Sequence, residues 1–256
     1  MKKLVFVLSL LITSLSSEAS NLIEHKQVTN ERNCFTMPLA DYDTWRGNIK
    51  KRYQRNIKSE DVVNKKLAWF DSMFGKEKFE RYKNNLDCST FEYEVDSQMV
   101  KGFVIKPKLV DKKLPVLIYN RGGNGNYGSL SFGSKMHHLF PIANEGFVIV
   151  GSQYRGTLTK SDTLDEFGGR DVKDVTALVD LIPSITGADA DRIGMFGASR
   201  GGMQTHLAVK QATNIKAIAT IAGNTDLSKG LTYHPAMEKV YKNRIPNYLE
   251  NKQVEL

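Results

Sequence analysis

This sequence predicts an α/β fold, on three observations. Four short apolar runs recur, at 116–119, 147–150, 193–196 and 217–221. Each is followed by a glycine-bearing loop: "NRGGNGNYG", "GSQYRGT", "GASRGG" and "AGNTD". Helical patterns separate the runs, at 135–145, 172–182 and 203–211. Continuously apolar strands alternating with helices imply a mostly parallel sheet covered on both faces. In such sheets the working loops lie beyond the C-terminal ends of the strands, where all four loops fall.

The elements follow in order. Residues 1–19 carry Lys2 and Lys3, an apolar run at 4–15 and a small-x-small site ending at Ala19. This is the pattern of a secretory signal peptide cleaved near Ala19, so the protein is expected to be exported, to a periplasm or beyond. The run is shorter than the roughly 20 apolar residues needed to span a bilayer, so no stable membrane anchor is expected. Residues 20–88 read as a short helical extension. Within them Val62, Val63, Leu67, Phe70, Met73 and Phe74 recur at helical spacing. Residues 46–83 hold twelve Lys/Arg against five Asp/Glu, in a chain of net charge +8. The excess reads as a solvated helix face rather than a nucleic-acid reader, because no reader motif accompanies it. Binding to an anionic surface is the weaker alternative.

Residues 89–256 form the main domain. It opens with a hairpin, strands at 91–95 and 99–106 about a tight turn at Asp96 and Ser97. Pro183 and Gly187 close the 172–182 helix. The two cysteines, Cys34 and Cys88, can pair in an oxidising compartment, though spacing alone does not show that they meet. They fit no metal site, and no cofactor motif is present.

The chemistry is concentrated in "GASRGG". Gly-x-Ser-x-Gly after a strand and before a helix is a nucleophile elbow, a turn so tight that it holds the serine backbone strained and its hydroxyl exposed. Ser199 is the candidate nucleophile. Gly197 and Gly201 leave room for neighbouring backbone, and Gly202 lets the next helix pack closely. An oxyanion hole needs two donors. The N–H of Arg200 is one, and the loop containing Gly122 and Gly123 supplies the other. A plain glycine-rich turn with Ser199 as a helix cap is the competing reading.

With these residues in hand, the chain resembles the prolyl oligopeptidase family of serine peptidases, within the α/β-hydrolase superfamily. "FGASRGG" is similar to that family's nucleophile motif, and "YNRGGNGNYG" occupies the place of its oxyanion loop. "YRGT" and "GGRDVKDV" are similar to the segments that follow the next strand and open the next helix. The resemblance runs from about residue 91 to the C-terminus. Arg121 departs from the His or Tyr common before the two glycines. Too few residues precede 91 for the family's β-propeller, so the chain resembles a propeller-less member. The resemblance implies hydrolysis of a peptide or small ester, with no cofactor.

The superfamily's triad runs Ser, then Asp or Glu, then His. The family's acid and histidine come from loops after two further strands. The chain as given ends one helical segment past the 217–221 strand, so the last two strands are expected to be missing and the domain incomplete, with little or no turnover. An Asp226–His234 pair is the one substitute in reach of the pattern, against the plainer reading of a turn aspartate and a surface histidine. A carboxylesterase-like hydrolase and a non-catalytic binding protein on the same fold are the alternatives.

Overall fold

A computed structural model describes residues 21–109, 111–159 and 163–250. The signal-peptide reading at 1–19, with its cleavage near Ala19, lies outside the described residues. In chain order the elements are β1 (Val28–Asn33), α1 (Tyr42–Asn56), α2 (Glu60–Phe74), α3 (Lys76–Asn85), β2 (Leu86–Val95), β3 (Gln98–Pro107) and β4 (Leu114–Asn120). Then come α4 (Phe132–His138), α5 (Phe140–Asn144), β5 (Val148–Ser152), α6 (Asp171–Leu181), β6 (Ala188–Ala198), α7 (Arg200–Val209), β7 (Ile215–Ile221), α8 (Leu227–Tyr233) and α9 (Glu238–Arg244).

The strands form one seven-stranded sheet in the order β1-β2-β3-β5-β4-β6-β7. It is mixed, where a mostly parallel sheet was expected. Strands β5, β4, β6 and β7 pair in parallel, while β1–β2, β2–β3 and β3–β5 are antiparallel. The physical reason lies in the connections. Parallel neighbours need a crossover, which the helices supply, whereas β2 and β3 are joined by a two-residue turn that can only reverse the chain. That turn holds Asp96 and Ser97 at φ 49° and 58°, the pair of positive values of a type I′ hairpin.

Alternation along the strands sends side chains to two cores. Val104, Val148 and Val150 join Val172, Val175 and Leu178 of α6 on one face. Phe103, Ile105 and Ile149 meet the aromatic cluster of the N-terminal helices on the other, with Trp45, Phe70, Phe74 and Phe79. The described part of the extension, residues 21–88, is therefore more than helical. It covers one face of the sheet and adds β1 to its edge, and the Cys34–Cys88 disulfide ties that edge to β2 (Cα–Cα 5.3 Å). Val63, Leu67, Phe70 and Phe74 form the buried stripe of α2, while Val62 is exposed and Met73 half-buried at its margin.

The 135–145 pattern resolves into two helices, α4 and α5. Pro141 sits in the first turn of α5, where its missing N–H costs nothing but bars a continuous helix. At the opposite edge of the sheet, β7 pairs only with β6 among the described strands, and six of its seven residues are exposed.

Candidate active site

Ser199 occupies the single residue between β6 and α7. Its backbone takes φ 55° and ψ −128°, a conformation that costs a non-glycine residue of order 1–3 kcal/mol. Its N–H donates to the carbonyl of Ile221 at the end of β7 (2.9 Å), and its carbonyl accepts from the N–H of Gly202 (2.9 Å). The residue is exposed, and its hydroxyl has no hydrogen-bond partner among the described residues.

Close approach explains the glycines. A Cβ on Gly201 would lie 2.0 Å from the Asn120 carbonyl oxygen, and one on Gly197 would lie 2.3 Å from the Gly201 carbonyl oxygen. One on Gly202 would meet the Gly223 Cα at 2.7 Å, in the loop after β7. Three chain segments thus touch backbone to backbone around the elbow.

The loop after β4 reaches the same place. A Cβ on Gly122 would sit 3.5 Å from the Ser199 Cβ, so this glycine lies directly beside the serine. Gly123 takes φ 73°. Neither Gly122 nor Gly123 has a hydrogen-bond partner for its N–H among the described residues. The N–H of Arg200 opens α7, among first-turn groups that lack an intrahelical acceptor.

Arg121 is fully buried, and its guanidinium orders this loop from beneath. It donates to the carbonyls of Gly122 (3.0 Å), Gly125 (2.9 Å), Tyr127 (3.2 Å) and Gln153 (2.6 and 3.0 Å), and to the Thr157 hydroxyl (2.8 Å). All its nitrogens are thereby committed to the loop and to the end of β5. Burial pushes its pKa down to about 10.

In the sequence, Arg200 stands out only for its backbone N–H. The structure gives its side chain a central position. It is buried and pairs with Asp165 (2.7 Å) and Asp171 (2.5 Å), and it donates to the Gly123 carbonyl (2.8 Å). The guanidinium lies between the rings of Tyr154 (5.0 Å) and Phe167 (4.7 Å), and Arg121 covers Tyr154 at 4.8 Å. Burial opposes the Arg200 charge, but Asp171 and Asp165 outweigh it and raise its pKa. Asp171 also accepts from the Gln204 amide (2.7 Å) and the Glu166 N–H (2.9 Å), and Asp165 accepts from the Gly125 N–H (2.6 Å) and Arg244 (3.2 Å). One ionic network thus connects the start of α7, the loop after β4, the start of α6 and the end of α9. The signal for it lay in "YRGT" and "GGRDVKDV", whose Tyr154 and Asp171 carry it.

Asp226 is placed apart from this chemistry. Its carboxylate caps α8 by accepting from the Lys229 N–H (2.7 Å). His234 ends the same helix and is exposed. No hydrogen bond joins Asp226 to His234, or either to Ser199, among the described residues.

Residues 132–255 match the family model of the prolyl oligopeptidase family. The chain is 28% identical over 148 residues to the Uncharacterized peptidase YuxL of Bacillus subtilis, covering 54% of this chain and 22% of the relative. It is 30% identical over 101 residues to Dipeptidyl-peptidase 5 of Porphyromonas gingivalis, covering 38% of this chain and 15% of the relative. The chain thus spans less than a quarter of the length of either protein. Among solved structures, the Pyrococcus horikoshii acylaminoacyl peptidase superposes with a TM-score of 0.53 at 26% identity, over 67% of this chain and 29% of that one. The helix-flanked mixed sheet and these likenesses together give the chain the fold of the α/β-hydrolase superfamily of esterases and peptidases.

Proposed function

We propose that this chain is a serine hydrolase of the prolyl oligopeptidase type, with Ser199 attacking a peptide or small ester carbonyl. The observation that carries the reading is the strained, exposed Ser199 with Gly122 against it. In the attack, the serine oxygen bonds to the carbonyl carbon and the carbonyl oxygen takes up negative charge. The N–H groups of Arg200 and of Gly122 or Gly123 stabilise that oxyanion, in a site ordered before substrate arrives.

Attack also requires that the serine lose its proton. Among the described residues no histidine or carboxylate bonds to the Ser199 hydroxyl. Removing the histidine from a serine-protease triad costs about 10⁶-fold in kcat. We therefore assign the chain low or negligible turnover. The Cys34–Cys88 disulfide supports a position in an oxidising compartment after export.

A fluorophosphonate probe followed by peptide mass spectrometry tests the proposal. Slow labelling confined to Ser199 and lost in Ser199→Ala is the expected result. Rapid Ser199-dependent labelling would overturn the assignment of low turnover. Modification elsewhere, with Ser199 untouched, would overturn the nucleophile itself. A non-catalytic binding protein on the same fold is the second reading, favoured by the absence of a base beside Ser199. It predicts no labelling and no hydrolysis across a peptide and ester panel.

A further inference from the structure

Away from the elbow, a cavity of about 310 Å³ opens between β1, β2, β3 and α4. Lys135 of α4 lines it and is only 4% exposed. Its ammonium lies 5.4 Å from the centre of the Phe103 ring, a member of the aromatic core. It has no carboxylate within ion-pair distance and no hydrogen-bond acceptor among the described residues. A buried cation is normally paired, because removal from water costs several kcal/mol that only a counter-charge returns.

The charged groups around the cavity do not provide that counter-charge. Arg32 of β1, Lys101 of β3 and Lys135 of α4 face it, with Glu92 of β2 as its one carboxylate. Glu92 is already engaged, accepting from the Asn30 amide (2.6 Å) and lying 3.9 Å from the Lys101 ammonium. The Gln153 amide in the wall is likewise spent, on the N–H and carbonyl of Leu130. What remains is a concave space with a net excess of positive charge, lined by a lysine whose ammonium has no protein acceptor among the described residues.

We propose that this cavity is a binding site for a small oxyanion, a carboxylate or phosphate group paired with Lys135, with Arg32 and Lys101 at its mouth. The site does not depend on the hydrolase chemistry of Ser199. Burial holds the Lys135 amine down to about 8, so near neutral pH the ammonium is still the major form and needs a partner. Binding an anion favours the charged form, and its affinity falls as pH rises through the amine's titration.

The full-length protein is treated with acetic anhydride across a pH series, and Lys135 modification is read by peptide mass spectrometry. The series is run without added anion, with succinate and with inorganic phosphate. The anion that fits lowers Lys135 reactivity about fivefold at the free amine's midpoint, equivalent to a one-unit rise in pKa. A response to succinate alone assigns a carboxylate site, to phosphate alone a phosphate site, and to both a general oxyanion site. Calorimetry on Lys135→Met then shows binding lost. Arg32→Ala and Lys101→Ala, at more exposed positions, weaken it about threefold each with the melting temperature unchanged. If neither anion alters Lys135 reactivity, or if Lys135→Met binds as well as the parent protein, the proposal is overturned.

Discussion

Gly201→Ala measures how tightly the elbow is built. The new Cβ would lie 2.0 Å from the Asn120 carbonyl oxygen, 2.7 Å from the Asn120 carbonyl carbon and 3.0 Å from that of Arg121. All three are backbone atoms at the end of β4, so no side chain can turn aside. Since real Cβ contacts essentially never fall below 3.0 Å, α7 must move about 1 Å away from β4. The same shift strains the chain of hydrogen bonds from the Asn120 amide to the Thr205 hydroxyl (2.9 Å) and from there to the Gly201 carbonyl (2.9 Å). Overpacking costs about 1–3 kcal/mol and a lost buried hydrogen bond about 1 kcal/mol more, giving about 3 kcal/mol. The displacement also moves the Arg200 N–H relative to Gly122, and a 1 Å error in such geometry costs about 10²-fold in rate. Guanidinium unfolding of Gly201→Ala reads the first effect and fluorophosphonate labelling of Ser199 the second. Gly47→Ala is the control. Gly47 lies within α1 and its added Cβ meets nothing within 4 Å, so the exchange should stabilise by about 0.5–1 kcal/mol. A Gly201→Ala protein within about 0.5 kcal/mol of the parent would refute the close-packed elbow.

Three further outcomes are expected. Asp171→Asn leaves Arg200 with half its counter-charge in a buried site and should cost about 3–5 kcal/mol in denaturant unfolding, with slower Ser199 labelling. Lys135→Met should raise stability at pH 7 by up to about 3 kcal/mol, because the folded-state amine sits at about 8 against 10.5 unfolded. The unfolded chain binds one more proton at Lys135 between those values, so the variant's advantage over the parent should shrink from pH 8 toward 10.5, as thermal melts of the two proteins compared across that range will show. Reducing the Cys34–Cys88 bond, which closes a 54-residue separation, should lower stability by about 4 kcal/mol in the chain-entropy account, read as a fall in the denaturant midpoint.

Local structure was legible in the chain. The four apolar runs are strands, Asp96-Ser97 turns the hairpin, and Ser199 stands alone between a strand and a helix, because each depends on neighbours within a few residues. What those elements meet emerged only on folding. Folding brought β1 to the sheet edge, made the sheet mixed, and gathered Arg121, Tyr154, Asp165, Asp171 and Arg200 beneath the elbow from four separate segments. It also buried Lys135 in a pattern that reads as an ordinary helix. Ion pairing and desolvation act through space, and a charged residue gives no sign in the chain of whether folding will leave it in water or enclose it with its partner.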